Sequence, residues 1–105
     1  MSASRGLPFC GATLLAGASV LRCPDGVEVA LTDTERRLIV ALCASAGTVV
    51  PRTELVRHLS RASASPGSRS LDQYIRRLRA TLAAHGAKPA LLRTVHGKGY
   101  ALLSA

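Results

Sequence analysis

Arg69-Ser70-Leu71-Asp72-Gln73-Tyr74-Ile75-Arg76-Arg77-Leu78-Arg79-Ala80-Thr81-Leu82 places Leu71, Ile75, Leu78 and Leu82 at i, i+4, i+7 and i+11. At about 100° per residue these four fall on one stripe of a helix, which is expected over about 69–84 and reads as starting at Ser70, with Gln73 three residues on. Opposite the stripe lie Arg69, Gln73, Arg76, Arg77 and Ala80, with Ser70 nearer one edge, while Asp72 and Arg79 share a flank. Leucines inward with arginine, glutamine and small residues outward suit an element that packs on a core and offers groups that bind phosphates and base edges. A solvated basic face is the plainer reading of the same pattern.

Toward the C-terminus, Leu91–Val95 and Tyr100–Leu103 flank His96-Gly97-Lys98-Gly99, the pattern of a β-hairpin whose two glycines are expected to supply positive φ at the tip. Gly-Lys-Gly here lacks the spacing of a phosphate-binding loop and leads into a strand, so nucleotide binding is not expected. Toward the N-terminus, Ala62–Ser68 is a Ser/Pro/Gly loop, and Leu55, Val56 and Leu59 mark a second helix after Pro51, which a first turn tolerates. Thr32-Asp33-Thr34-Glu35 reads as a capping box opening a further helix, with Leu38, Ile39, Leu42 and Cys43 at helical spacing and Gly47 as its C-cap. Before it, Ala12–Leu15, Ser19–Arg22 and Val27–Leu31 are separated by turn residues, including Pro24-Asp25-Gly26. They predict an antiparallel sheet of about three short strands after an N-terminal arm over 1–11.

The 105 residues suffice for one domain, 12–105, and 48% hydrophobic residues with only 3% aromatics predict an aliphatic core. The formal charge of +8 is unevenly placed. In residues 1–51 Arg5, Arg22, Arg36 and Arg37 cancel against Asp25, Glu28, Asp33 and Glu35; residues 52–105, with only Glu54 and Asp72 as acids, carry the whole excess. Arginine makes up 12 of the 14 cations, and its planar fork suits phosphate oxygens and guanine edges, so a polyanionic partner is expected.

Cys10, Cys23 and Cys43 fit neither a paired disulfide framework nor a metal spacing, and read as small buried hydrophobes in a reducing cytosol. No metal and no cofactor is expected. Residues 6–21 are uncharged and contain Ala16-Gly17-Ala18, as a leader would, but three glycines dilute the apolar run and Phe9 before Cys10 speaks against a lipoprotein signal. No run reaches the roughly 20 apolar residues of a membrane span, and the cytoplasm is the expected location. Paired carboxylates, a nucleophile beside a base and a metal cluster are all missing from the pattern, so an enzyme is not expected.

In order and spacing, Leu31-Thr32-x-x-Glu35, Val49-Val50 through Leu55, Ser68-Arg69-Ser70-Leu71-Asp72 through Ile75-Arg76-Arg77-Leu78-Arg79, and Arg93-Thr94-Val95-His96-Gly97-Lys98-Gly99-Tyr100 resemble the output domains of OmpR/PhoB-type response regulators of two-component systems. The resemblance covers about residues 12–103. It implies an α+β winged helix-turn-helix: an N-terminal antiparallel sheet, three helices and a C-terminal β-hairpin wing. It further implies a sequence-specific regulator of transcription that binds double-stranded DNA, or the output domain of one, with helix 69–84 in the major groove and the wing, about 92–103, at a minor groove. By position, Arg69, Ser70, Gln73, Arg76 and Arg77 would face DNA, Arg79 and Asp72 would hold the helix or touch phosphates, and Thr94, His96 and Lys98 would contact backbone or minor groove. Arg93 joins them as a backbone contact. Direct repeats, head-to-tail dimers on DNA and contact with RNA polymerase are the partners the family implies.

The chain departs from the family at His96, where arginine is common, at Pro51, where serine often caps the second helix, and in the 60–68 loop, which lacks the usual tryptophan and acidic residues. No receiver domain with its phosphoacceptor aspartate is read in these residues. The competing expectation is a winged-helix module for protein interaction, with RNA polymerase or a partner regulator, whose DNA affinity is only non-specific; ranking of DNA sequences at physiological salt separates the two.

Overall fold

Thr32 Oγ1 accepts the Glu35 amide at 3.1 Å while Glu35 Oε1 accepts the Thr32 amide at 2.8 Å, so the predicted capping box closes in both directions. It opens α1 (Asp33–Ala44) in a computed structural model that describes residues 6–15, 17–59 and 69–103, the side chains of Arg69 and Ser70 excepted. The expected apolar positions Leu38, Ile39 and Leu42 are fully buried and Cys43 half-buried. The helix ends earlier than Gly47: Ser45 caps it, and Gly47, at φ +87°, donates instead to the Leu102 carbonyl at 2.8 Å, joining the turn to the last strand.

The N-terminal sheet has four strands, β1 (Leu7–Phe9), β2 (Ala12–Leu14), β3 (Val20–Arg22) and β4 (Glu28–Ala30), antiparallel in sequence order. The strand beyond the expected three lies inside residues 1–11, which sequence assigned to an arm. Phe9 explains it: this fully buried ring anchors β1 over α1, and Cys10 and Gly11, at φ +53° and +86°, make the tight turn into β2. Pro8, which has no amide to donate, is tolerated because β1 is an edge.

The predicted hairpin also gains a strand. Leu92–Val95 (β6) pairs with Gly99–Leu102 (β7), and β7 pairs on its other side with β5 (Val49–Pro51), giving the order β5-β7-β6. Between these strands run α2 (Arg52–Val56), α3 (Arg69–Ala84) and a 3-10 turn at Pro89–Leu91. Leu59 is buried but lies in the turn after α2, not in the helix itself. Leu71, Ile75, Leu78 and Leu82 are all at most 1% exposed, so the α3 stripe is core, joined by Leu21, Leu38, Leu55, Leu92 and Leu102. Among the described residues, no helix is long and apolar enough to cross a membrane.

Candidate nucleic-acid interface

The two glycines of His96-Gly97-Lys98-Gly99 serve different ends. Val95 O accepts the Lys98 amide at 3.0 Å, closing a β-turn in which Gly97 stands at φ +78° as expected. Gly99 has no positive φ, contrary to the expectation; it is glycine because a Cβ there would meet the Val50 carbonyl oxygen at 2.0 Å and the Arg52 nitrogen at 3.0 Å. That close approach lets Lys98 O accept the Arg52 amide at 3.1 Å and ties the wing tip to the start of α2. His96 and Lys98 are exposed at the tip, and Arg93 is exposed on β6.

On α3, Gln73, Arg76 and Arg77 are exposed opposite the buried stripe. The roles expected of the Arg69 and Ser70 side chains lie outside the described residues; the helix backbone begins at Arg69, which puts Ser70 in the first turn. Arg79, expected to hold the helix or touch phosphates, and Thr94, expected to contact backbone or minor groove, are bonded to each other: Arg79 Nη2 donates to Thr94 Oγ1 at 2.7 Å and to Leu92 O at 2.7 Å, and its Nε reaches Leu92 O at 3.2 Å. Two turns earlier on the same flank, Asp72 forms an ion pair with Arg52 Nη1 at 3.0 Å and accepts the Tyr100 hydroxyl. The flank that Asp72 and Arg79 share is thus the one facing the wing.

These contacts set the charges. The Arg52 guanidinium, and then the Tyr100 hydroxyl, hold the Asp72 carboxyl below the usual carboxylate range. Burial, and then the bond to Asp72, push the Tyr100 phenol up. Asp72 reciprocally raises Arg52, so that pair is ionised at neutral pH. Two guanidinium groups approach the Tyr100 ring, with the Cζ atoms of Arg52 and Arg79 at 5.8 and 5.9 Å from its centroid. α3 thus holds β6 through Arg79 at Leu92 and Thr94, and β7 through Asp72 at Tyr100, the residue paired with Thr94. Sequence reasoning left Arg52 and Tyr100 out of the site; the shared flank of Asp72 and Arg79 was the signal that something polar packs there.

Cys10, Cys23 and Cys43 are free, and burial pushes the Cys10 and Cys43 thiols up to about 11. Among the described residues, no group of three or more His, Cys, Asp or Glu side chains is placed to hold a metal ion.

Residues 26–102 match the family described as "Transcriptional regulatory protein, C terminal". The transcriptional regulatory protein CpxR homolog of Haemophilus influenzae is 40% identical over 74 residues, which are 70% of this chain and 33% of that protein. The DNA-binding domain of CpxR from Escherichia coli superposes with a TM-score of 0.76 at 28% identity, covering 97% of this chain and 99% of that one. The RstA DNA-binding domain of Klebsiella pneumoniae, solved in complex with the RstA box, gives a TM-score of 0.71 at 26% identity over 94% of this chain and 97% of that one. The chain spans about a third of the length of the curated relatives it matches. By its match over 26–102 and its winged-helix architecture, it belongs to the family of transcriptional regulatory protein C-terminal domains, the OmpR/PhoB type.

Proposed function

We propose that this chain is the DNA-binding output domain of a transcriptional regulator, acting in the cytoplasm on double-stranded DNA. The observation that carries the reading is the placement of charge: the whole +8 arises in residues 52–105, and its exposed members on α3 and the wing are presented by two elements bonded to each other. The RstA domain, of the same fold, is solved in complex with its box. Gln73, Arg76 and Arg77, with Arg69 and Ser70 beside them in sequence, read base edges and phosphates in the major groove, where bidentate Arg–guanine and Gln–adenine pairs are the common specific contacts. Arg93, His96 and Lys98 hold the backbone and reach the minor groove. Arg79 and Thr94 serve the same interface, and sites arranged as direct repeats, head-to-tail pairing on DNA and contact with RNA polymerase complete the proposal. No catalytic step is assigned to the chain.

The test compares two variants on a panel of DNA sequences across a salt series. Gln73→Ala changes the order of preference among sequences, whereas Lys98→Ala weakens all of them alike and lowers the salt slope by about one. Equal loss on every sequence from Gln73→Ala would contradict the assignment of the α3 face.

A further inference from the structure

Among the described residues β6 is an edge strand, paired only with β7, and the Leu92 carbonyl on its open side is taken up by the Arg79 fork. An open edge leaves a row of backbone groups unpaired unless something covers it. Arg79 covers the edge with its Nε and Nη2 donors, adding Thr94 Oγ1 to Leu92 O, in a planar geometry that lysine has no means to copy. Asp72 repeats the device at the other end of the shared flank, accepting the hydroxyl of Tyr100 on β7 and pairing with Arg52, whose amide in turn holds Lys98 O. Two side chains of one helix thus grip both strands of the wing, Arg79 on β6 and Asp72 on β7, meeting at the paired residues Thr94 and Tyr100.

We propose that Arg79 and Asp72 are positioning residues that clamp the wing to α3, and that the hold of Lys98 on phosphate passes through this clamp. The second half of the proposal rests on the DNA-binding reading above. Helix and wing meet one duplex only if their spacing is held, and fixing it before binding removes an ordering cost from association. A residue that itself neutralises a phosphate behaves differently, because losing its charge lowers the salt slope by about 0.9.

The first arm needs no DNA. Amide exchange in the 105-residue chain is compared for the native sequence, Arg79→Lys, Asp72→Asn and the milder Thr94→Val. Acceleration of roughly tenfold or more in β6 and β7 amides, with α1 amides near their native rates, is expected for Arg79→Lys, and smaller changes in the same direction for Asp72→Asn and Thr94→Val. Parallel acceleration of wing and α1, or no acceleration, overturns the clamp. In the second arm, Lys98→Ala weakens DNA binding about fivefold at 0.15 M salt in the native background, the share one phosphate contact contributes between 0.15 and 1 M. In the Arg79→Lys background the same change costs less than about twofold, because the tip has already lost its place. An equal loss in both backgrounds refutes the coupling. If the native chain binds no DNA, the functional reading falls, and the exchange arm still decides the clamp.

Discussion

Gly99→Ala is the most demanding single change for the wing. Its Cβ would stand 2.0 Å from the Val50 carbonyl oxygen, about 1.4 Å inside the 3.4 Å of ordinary contact, and the obstacle is backbone with no flexible end to swing away. β5 and β7 must part, which breaks the pairing of Val50 with Tyr100 and the bond from the Arg52 amide to Lys98 O. Overpacking of this kind costs about 1–3 kcal/mol and the lost bond about 1 kcal/mol, so the chain loses about 2–4 kcal/mol. Gly97→Ala, two residues away, meets nothing within 4 Å and bears only the strain of φ +78°, about 1 kcal/mol. The chain has no tryptophan, so urea unfolding followed by far-ultraviolet circular dichroism is the assay. At an m-value of about 1.5 kcal/mol per molar, the midpoint drops by about 2 M for Gly99→Ala and about 0.7 M for Gly97→Ala. Equal midpoints for the two variants would refute the account of why the motif has two glycines.

Other consequences concern the cap, the thiols and the acid limb. Thr32→Ala removes one half of the capping box and lowers stability by about 1 kcal/mol in the same unfolding assay; an unchanged midpoint would contradict it. With Cys10 and Cys43 pushed up to about 11 from 9.0, native thiolate is about a hundredfold scarcer, so iodoacetamide at pH 8 reacts correspondingly slower than in denaturant. Modification of both thiols at the denatured rate in the folded chain would count against their burial. Because the Asp72 carboxyl is lowered in the folded state, its stabilisation is complete above about pH 4 and is lost as pH falls through the folded value. Asp72→Asn therefore flattens the fall of stability below pH 4, read from urea unfolding, by less than about 1 kcal/mol because solvent screens this half-exposed group, and an unchanged acid slope would speak against the pair.

Local patterns were legible in the sequence because one element sufficed to express them. The period of Leu71, Ile75, Leu78 and Leu82 gave a core stripe and left Gln73, Arg76 and Arg77 facing outward, and Thr32 with Glu35 marked the start of α1. Features that depend on distant partners were not. β1 is three residues long with a proline in it, too short to show alternation, and exists because Phe9 finds α1. The steric need for Gly99 comes from Val50, and the Arg52–Asp72–Tyr100 contact joins three elements that no spacing rule connects. Arg79 shows the mixed case. Its place on a flank was readable, but its engagement by Leu92 O and Thr94 depends on how the wing docks.

The central claim is that this domain ranks DNA sequences. A selection from genomic fragments with the purified chain at about 150 mM salt, where sequence-independent attraction is much reduced, tests it most directly. The account predicts enrichment of a repeated half-site at a spacing of roughly 10–11 base pairs. Binding that appears only at low salt, with no sequence enriched, would contradict it.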